Sequence, residues 1–424
     1  MCGGHGGNLL EPEKIHQGGF SLVKYHVGVD VGKDRHRVCI RDLAKGVYCR
    51  NFPITNDRDG FTALITVLEK LSSDKSDFLI GVEACFYALN LSYFLLAMGF
   101  TLVEINPFRA NQFRKAQGKK AKTDKIDAHT ISAILSINNH KPLLMPDPIL
   151  DNLKELTRFR VDLINERATM IIHLQEALSV LFPEYQKVFR QLDSAGSLAL
   201  LATYPGPEHM IGAGEEAVGK TLSLASPRRM SRGMARRIIE AATRTVGVVQ
   251  RQPSLGIKIS VLAKRIASLQ STIQDLDRQI TALFNSVPCR PQGFPVGRAP
   301  SLATLIAEIG DIHQYPTLKK FLSHLGWCPQ SFQTGSYNLK HPKMSHAGNK
   351  YIRRIIWMLS IFAVQFVPRY REYFQRRVSE GKAKMHIIVA VGRKLLSALY
   401  AMLKTGMAYD PNWEVNGRLA LARR

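Results

Sequence analysis

The sequence is poor in the features of a secreted, zinc-bound or membrane-embedded chain. Its six cysteines (Cys2, Cys39, Cys49, Cys85, Cys289 and Cys328) are scattered and form no CxxC pair. That spacing excludes a zinc ribbon and offers no disulfide framework, so reduced thiols and a cytoplasmic location are expected. Long hydrophobic runs are missing too. The longest charge-free apolar segment, IIWMLSIFAVQFVP (355–368), falls short of the ~20 residues that cross a bilayer. It follows Arg353 and Arg354 and reads as a buried helix, so no membrane partner is expected. The Gly-rich residues 1–24 lack the apolar core of a signal peptide and read as a disordered leader. Acid is the last deficit: 34 Asp and Glu stand against 58 Lys and Arg, a net charge of +24. So large a surplus repels itself unless a polyanion shares the surface, which points to nucleic acid.

What is present is periodic. The 424 residues, 45% of them hydrophobic, suffice for two or three domains with real cores. HVGVDVG (26–32), HRVCIRDL (36–43) and VYCRNFPI (47–54) read as strands. GFTALITVLEKL (60–71) has one apolar stripe and reads as a helix, followed by the buried strand FLIGV (78–82). FYALNLSYFLLAMGF (86–100) is a helix stopped at Gly99, and TLVEI (101–105) is a strand stopped by Asn106-Pro107. The order β-β-β-α-β-α-β-α resembles, by analogy at fold level, the layout of a ribonuclease-H-like domain, expected at residues 25–148.

Residues 149–285 read as a helical arm. Leu153, Leu156, Leu163, Met170, Leu174 and Leu181 fall on one heptad seam, with Arg160 and Arg167 at two of its slots. Ile259, Ile266, Ile273 and Ile280 alternate with Leu262, Leu269, Leu276 and Leu283, which suits a two-stranded coil. Such helices pair either with each other, antiparallel in one chain, or with a second copy. The stretch between them (184–250) reads as loop-rich, with Arg228, Arg229, Arg232, Arg236 and Arg237 clustered. A Pro/Gly-rich boundary (286–300) precedes a mostly helical domain at 286–408, and 409–424 read as a tail. Within that domain the polar loop PQSFQTGSYNLKHPKMSHAGNK (329–350) carries hydroxyls and bases on a helical scaffold, where function concentrates.

Four acids stand out. Asp124 and Asp127 are one helical turn apart, behind a basic track containing Arg109, Arg114, Lys115, Lys119, Lys120 and Lys122. Asp30 lies in and Glu83 just past an apolar run that reads as a buried strand, where Asp is disfavoured without a reason. In the layout above all four converge at one end of the sheet. Oxygen ligands beside a phosphate track suit Mg2+ or Mn2+, as in two-metal phosphodiester chemistry.

These stretches resemble a known family. VGVDVGKD, GVEACFYALNLSYFLLAMGF and VEINPFRANQFRKAQGKKAKTDKIDA are similar to the N-terminal domain of DEDD-type insertion-sequence transposases, the bridge-RNA-guided DNA recombinases. LIAEIGDI, FLSHLGWCPQSFQTGS, KMSHAGNKYIRRIIW and AVGRKLLSALYAMLK resemble its second conserved region. The resemblance implies α/β plus α architecture: a RuvC-like domain, a coiled-coil arm supporting a dimer or tetramer, and a helical C-terminal transposase domain. It implies metal ligands at Asp30, Glu83, Asp124 and Asp127, DNA as substrate, and a structured guide RNA. It also implies a hydroxyl nucleophile before a glycine in the polar loop. The family has serine there, whereas this chain has Thr334 in QTG, with Ser331 and Ser336 nearby. A further departure is Ser345-His346-Ala347-Gly348, where the family carries a basic pair before the glycine. Lys343, Lys350, Arg353 and Arg354 are the phosphate-binding candidates here, with Arg236 and Arg237 in the arm. Two other functions fit the residues: a metal-dependent junction-resolving nuclease, and a transposase derivative that only binds nucleic acid.

Overall fold

The computed structural model describes residues 23–116, 124–137, 140–226, 231–328, 333–334, 337–338 and 348–410. Residues 1–22 of the leader, the Lys119–Lys122 part of the basic track, Arg228 and Arg229, and Ser331, Ser336 and Lys343 lie outside them. Two compact units divide at Pro146 and Asp147.

In the first unit, β1 (Tyr25–Asp30), β2 (Arg35–Asp42) and β3 (Gly46–Thr55) form an antiparallel meander. α1 (Arg58–Leu71) follows, capped by Asp57, whose carboxylate accepts from Gly60 N–H. β4 (Phe78–Glu83) joins β1 in parallel, α2 (Leu89–Ala97) ends near Gly99 at φ 85°, and β5 (Thr101–Ile105) pairs parallel with β4. α3 (Pro107–Ala116) and α4 (Asp124–Ile134) complete the unit. The sheet order is β3-β2-β1-β4-β5, a mixed sheet with every strand where the period-2 runs predict it. Strand alternation splits the core between two faces. Val27, Val29, Ile80 and Val82 pack with Leu64, Leu68, Leu91 and Leu95 of α1 and α2. Leu79, Val103 and Ile105 pack with Ile131, Ile134 and Leu135, on or just past α4, on the other.

The second unit is helical. Its axis is a pair of long helices, α5 (Pro148–Leu181) and, after four shorter ones, α10 (Gln252–Asn285). Leu153 and Leu163 share a core with Ile273 and Ile280, and Leu174, Leu178 and Leu181 share another with Ile259 and Ile266, so the pair is antiparallel. The heptad isoleucines of α10 are therefore buried on their own chain. Arg160, at a seam slot, forms an ion pair with Asp277.

Between them run α6 (Tyr185–Val188), α7 (Ala195–Thr203), α8 (Pro207–Ala225) and α9 (Ser231–Thr243). This corrects the loop-rich reading of 184–250. The helical signal is masked because α8 breaks at Gly214 (φ 77°), which resets the period. In α9 the buried stripe of Ala235, Ile238 and Ala242 is thin and interleaved with arginine.

The rest comprises α11 (Ala299–Ile309), α12 (Leu318–His324), a two-residue pair of strands β6 (Gln333–Thr334) and β7 (Tyr337–Asn338), α13 (Lys350–Phe366), α14 (Pro368–Ser379) and α15 (Lys384–Thr405). α14 has little apolar pattern, burying only Tyr370. Tyr409, expected in the tail, packs on Phe294 and donates its N–H to Gln292 O. Among the described residues one helix, α15, is apolar and long enough to cross a membrane, but 61% of its apolar window is buried in this domain's core. Cys39, Cys85, Cys289 and Cys328 are free thiols.

Candidate active site

The acidic cluster is set by two glycines. Gly28 of β1 and Gly81 of β4 are register partners on neighbouring strands. A Cβ on Gly28 would lie 2.3 Å from both Ala128 O and Ser132 N, and one on Gly81 would meet Ile131 and Leu135 methyls at 3.0 Å. Glycine at these positions makes a groove in the sheet, and the backbone of α4 lies in it. Cross-links hold it there: Arg41 of β2 bonds His129 at 3.1 Å, and Ser132 Oγ donates to Cys39 Sγ at 3.6 Å.

This seating brings acids together by parity. Side chains alternate along a strand, so Asp30 faces the same side as Gly28, and Glu83 the same side as Gly81. Val29 partners Val82, so the next residue on each parallel strand is an acid at the same level. Both acids are half-buried at strand ends, on the face that carries α4. Asp127 immediately precedes Ala128, whose carbonyl covers Gly28, and it is half-buried as well. Glu83 and Asp127 line one cavity of about 370 Å³, with Arg114, Asn111 and Thr130. Asp124 is the first residue of α4, where a carboxylate suits the helix dipole; its side chain lies outside the described residues.

The donors are all carboxylate oxygens, the chemistry that Mg2+ and Mn2+ prefer. Among the described residues no group of three His, Cys, Asp or Glu side chains is close enough to hold one ion. The set therefore fits a hard divalent metal in kind, without a formed cage.

The basic candidates divide. Arg109 and Lys115 are exposed on α3, and Arg114 donates to Asn111 at 2.7 Å on the cavity wall. Arg236 forms an ion pair with Glu240, whereas Arg237 lines a separate cavity among α6–α9. Lys350 sits over the Tyr351 ring, Arg353 donates to Gly348 O at 3.1 Å, and Arg354 donates to Asn165 of α5 at 2.8 Å.

Thr334 lies in β6, opposite Tyr337 of β7, in the second compact unit. The chain re-enters described structure at Gly348, and there it is clamped. Gly348 has φ 110°, and a Cβ on it would lie 2.5 Å from Gly326 N. Asn349 caps α13, its Oδ1 accepting from Tyr351 and Ile352 N–H. Its Nδ2 donates to Glu308 Oε2 at 2.6 Å. Arg158 of α5 donates to the same carboxylate in a fork, at 2.6 and 2.9 Å, and lies over the Tyr351 ring. Glu308 is fully buried as a side chain, and its bonds raise the Arg158 pKa above its already high value. Arg158, Glu308 and Asn349 escaped the sequence reading. The available signal was a lone acid inside the apolar helix LATLIAEIG.

Comparison with known proteins bears on the whole arrangement. Residues 27–183 match the DEDD transposase family of IS110 elements, and residues 299–375 match the Transposase IS116/IS110/IS902 family. The chain is 25% identical to the insertion element IS116 uncharacterized 44.8 kDa protein of Streptomyces clavuligerus, over 91% of this chain and 96% of that one. It is 24% identical to the insertion element IS110 uncharacterized 43.6 kDa protein of Streptomyces coelicolor, over 93% and 97%. Likeness to the pilin gene-inverting protein of Moraxella bovis is 23%, over 92% and 98%. The family carries a ribonuclease-H-like fold, with which the β3-β2-β1-β4-β5 sheet agrees. The chain belongs to the DEDD-type insertion-sequence transposases of the IS110/IS116 family, and its enzyme class is DNA transposase/recombinase.

Proposed function

We propose that this transposase breaks and rejoins DNA with two sets of groups: the acids Asp30, Glu83, Asp124 and Asp127, and the Thr334 hydroxyl. The observation that carries the proposal is the in-register pair Asp30 and Glu83, facing the glycine-seated helix that bears Asp127. Mg2+ or Mn2+ bound there would neutralise charge developing on a phosphodiester. The acids hold and orient that end of the site, and Arg114 at the same cavity offers a phosphate contact.

Thr334 Oγ1 forms a bond to phosphorus as a DNA strand's bridging oxygen leaves with the threonine proton. The resulting threonine phosphoester is resolved when the hydroxyl of an exchanged strand attacks and returns the proton to Thr334. Bond number is conserved, so no external energy source is needed. The threonine methyl stiffens χ1, and a misplacement of ~1 Å costs on the order of 10²-fold, so a slow enzyme is expected.

The division into a RuvC-like domain at 25–148, an arm at 149–285 and a C-terminal domain at 286–408 belongs to this reading. So do a structured guide RNA and a dimer or tetramer joined through the arm. The gene-inverting name of the Moraxella relative supports exchange of DNA partners over simple hydrolysis. A junction-resolving nuclease leaves the match at residues 299–375 without a role. The test is denaturing-gel capture of a protein–DNA adduct with target DNA and the RNA transcribed from the element's flank. Wild type and Ser336→Ala form the adduct, and Thr334→Ala does not. An adduct that survives Thr334→Ala and vanishes in Ser336→Ala would refute the assignment.

A further inference from the structure

A second cavity lies far along the sequence from both sets of groups, in the bundle of α6–α9. It measures about 630 Å³, within the ~300–1,000 Å³ range of built ligand pockets. Lys187, Arg190 and Arg237 supply its charge, and Phe189, Leu222 and Met234 supply apolar wall; no Asp or Glu lines it. Arg190 and Arg237 make no ion pair among the described residues, unlike Arg236, which is held by Glu240. The first turn of α7 opens into the same space, and Ser194 at its head makes no side-chain cap, so N–H groups there add to the positive field. The bundle falls between the two family matches, which end at residue 183 and resume at 299.

We propose that this cavity binds a nucleotide unit of a single-stranded nucleic acid, with the phosphate on Arg190, Arg237 and Lys187 and the base against the apolar wall. A duplex presents a base to such a pocket only by breaking its pairing and stacking. A single strand can turn one out, and apolar pockets beside cationic tracks recognise such bases. The proposal rests on the nucleic-acid reading of the protein and is independent of the Thr334 chemistry.

Binding is measured by fluorescence anisotropy on the full chain, with a short labelled uridine-rich RNA, its DNA counterpart and duplex DNA, across a salt series. Arg190→Glu with Arg237→Glu is expected to weaken single-strand binding by about tenfold or more. The log–log salt slope should flatten by about 0.7 for each phosphate that is no longer neutralised. Duplex binding changes little. Ala195→Trp, at the exposed rim, adds bulk without charge and weakens single-strand binding as well. Bromouridine photocrosslinking of the RNA marks the peptides containing Phe189 or Met234. Thr334→Ala binds as wild type, so a failed nucleophile and a failed pocket give different results. The stronger of the RNA and DNA signals names the strand. Unchanged single-strand binding in the charge-reversed variant overturns the proposal. So does an equal loss on duplex DNA, or a loss that Ala195→Trp does not share.

Discussion

The two sets of candidate groups are held by different means. The acids sit on strand ends and on a helix whose own backbone is pressed into a glycine groove, so their placement is a property of main-chain packing. The Thr334 loop is pinned at its exit by Gly348, packed against the Gly326 backbone, and then by side chains, through the buried Glu308 carboxylate, the Arg158 fork and the Asn349 cap. A backbone-seated site cannot absorb one added carbon, because neither wall can rotate away. A side-chain clamp tolerates some change, since its members can find water or other rotamers.

The sharpest way to break this comparison is at the groove. Gly28→Ala places a methyl 2.3 Å from two backbone atoms of α4, and the helix must lift. The expected loss is ~3 kcal/mol or more, at the upper end for overpacked cores. Gly81→Ala meets only methyl groups of Ile131 and Leu135 at 3.0 Å, which can shift, so a loss of ~1 kcal/mol is expected. Urea unfolding with hydrogen exchange read at β1 and α4 distinguishes the two. Equal losses would mean that α4 rides on side chains after all.

Next in size is the clamp. Glu308→Gln keeps the shape and one acceptor but leaves Arg158 without its counter-charge. Breaking a buried pair costs ~3–5 kcal/mol, but Arg158 is 39% exposed and can turn to water, so ~2 kcal/mol is expected. Arg158→Lys keeps the charge and loses the fork, and should cost less. Limited proteolysis just before Asn349 should quicken in both variants. The acidic unit should keep its exchange protection, and its loss there would show that the two sets are not independently held.

How far the sequence discloses each set follows the same physics. The strands, and the placement of Asp30 and Glu83 on them, were legible because period-2 runs, breaker residues and an acid inside or just past an apolar run are local signals. The Gly28–Gly81 groove was not, because its meaning depends on which strands become neighbours and on a helix arriving about 100 residues later in the chain. The long helices of the second unit were legible from their heptads, but their partner was not, since an Ile/Leu seam suits its own chain as well as another. Arg158, Glu308 and Asn349 are far apart in sequence and meet only in the fold. α9 was hidden because its arginines outweigh a thin apolar stripe. The metal was read from the acids beside a basic track, whereas the nucleophile and the guide RNA came from resemblance, and all three stay proposals.

The mildest expected effect separates the units by acid. His26 of β1 is on the α4 face and 5% exposed, with Nδ1 3.3 Å from Ser136 Oγ. Burial first, then the Arg41 and His140 charges, lowers its pKa from 6.5 to about 4. Between those two values the unfolded chain binds a proton that the folded one refuses. Stability from this group is therefore complete above the unfolded pKa and is lost as pH falls toward the folded one. The expected loss is ~1 kcal/mol between neutrality and mild acid near pH ~5.5. It should appear in the first unit only, as faster exchange in β1 and α4. His26→Gln, which cannot titrate and can still bond Ser136, should flatten that dependence while leaving the helical unit's acid response unchanged. An unchanged pH profile in His26→Gln would assign the acid sensitivity elsewhere, and a matching shift in the helical unit would end the claim that the two sets are built apart.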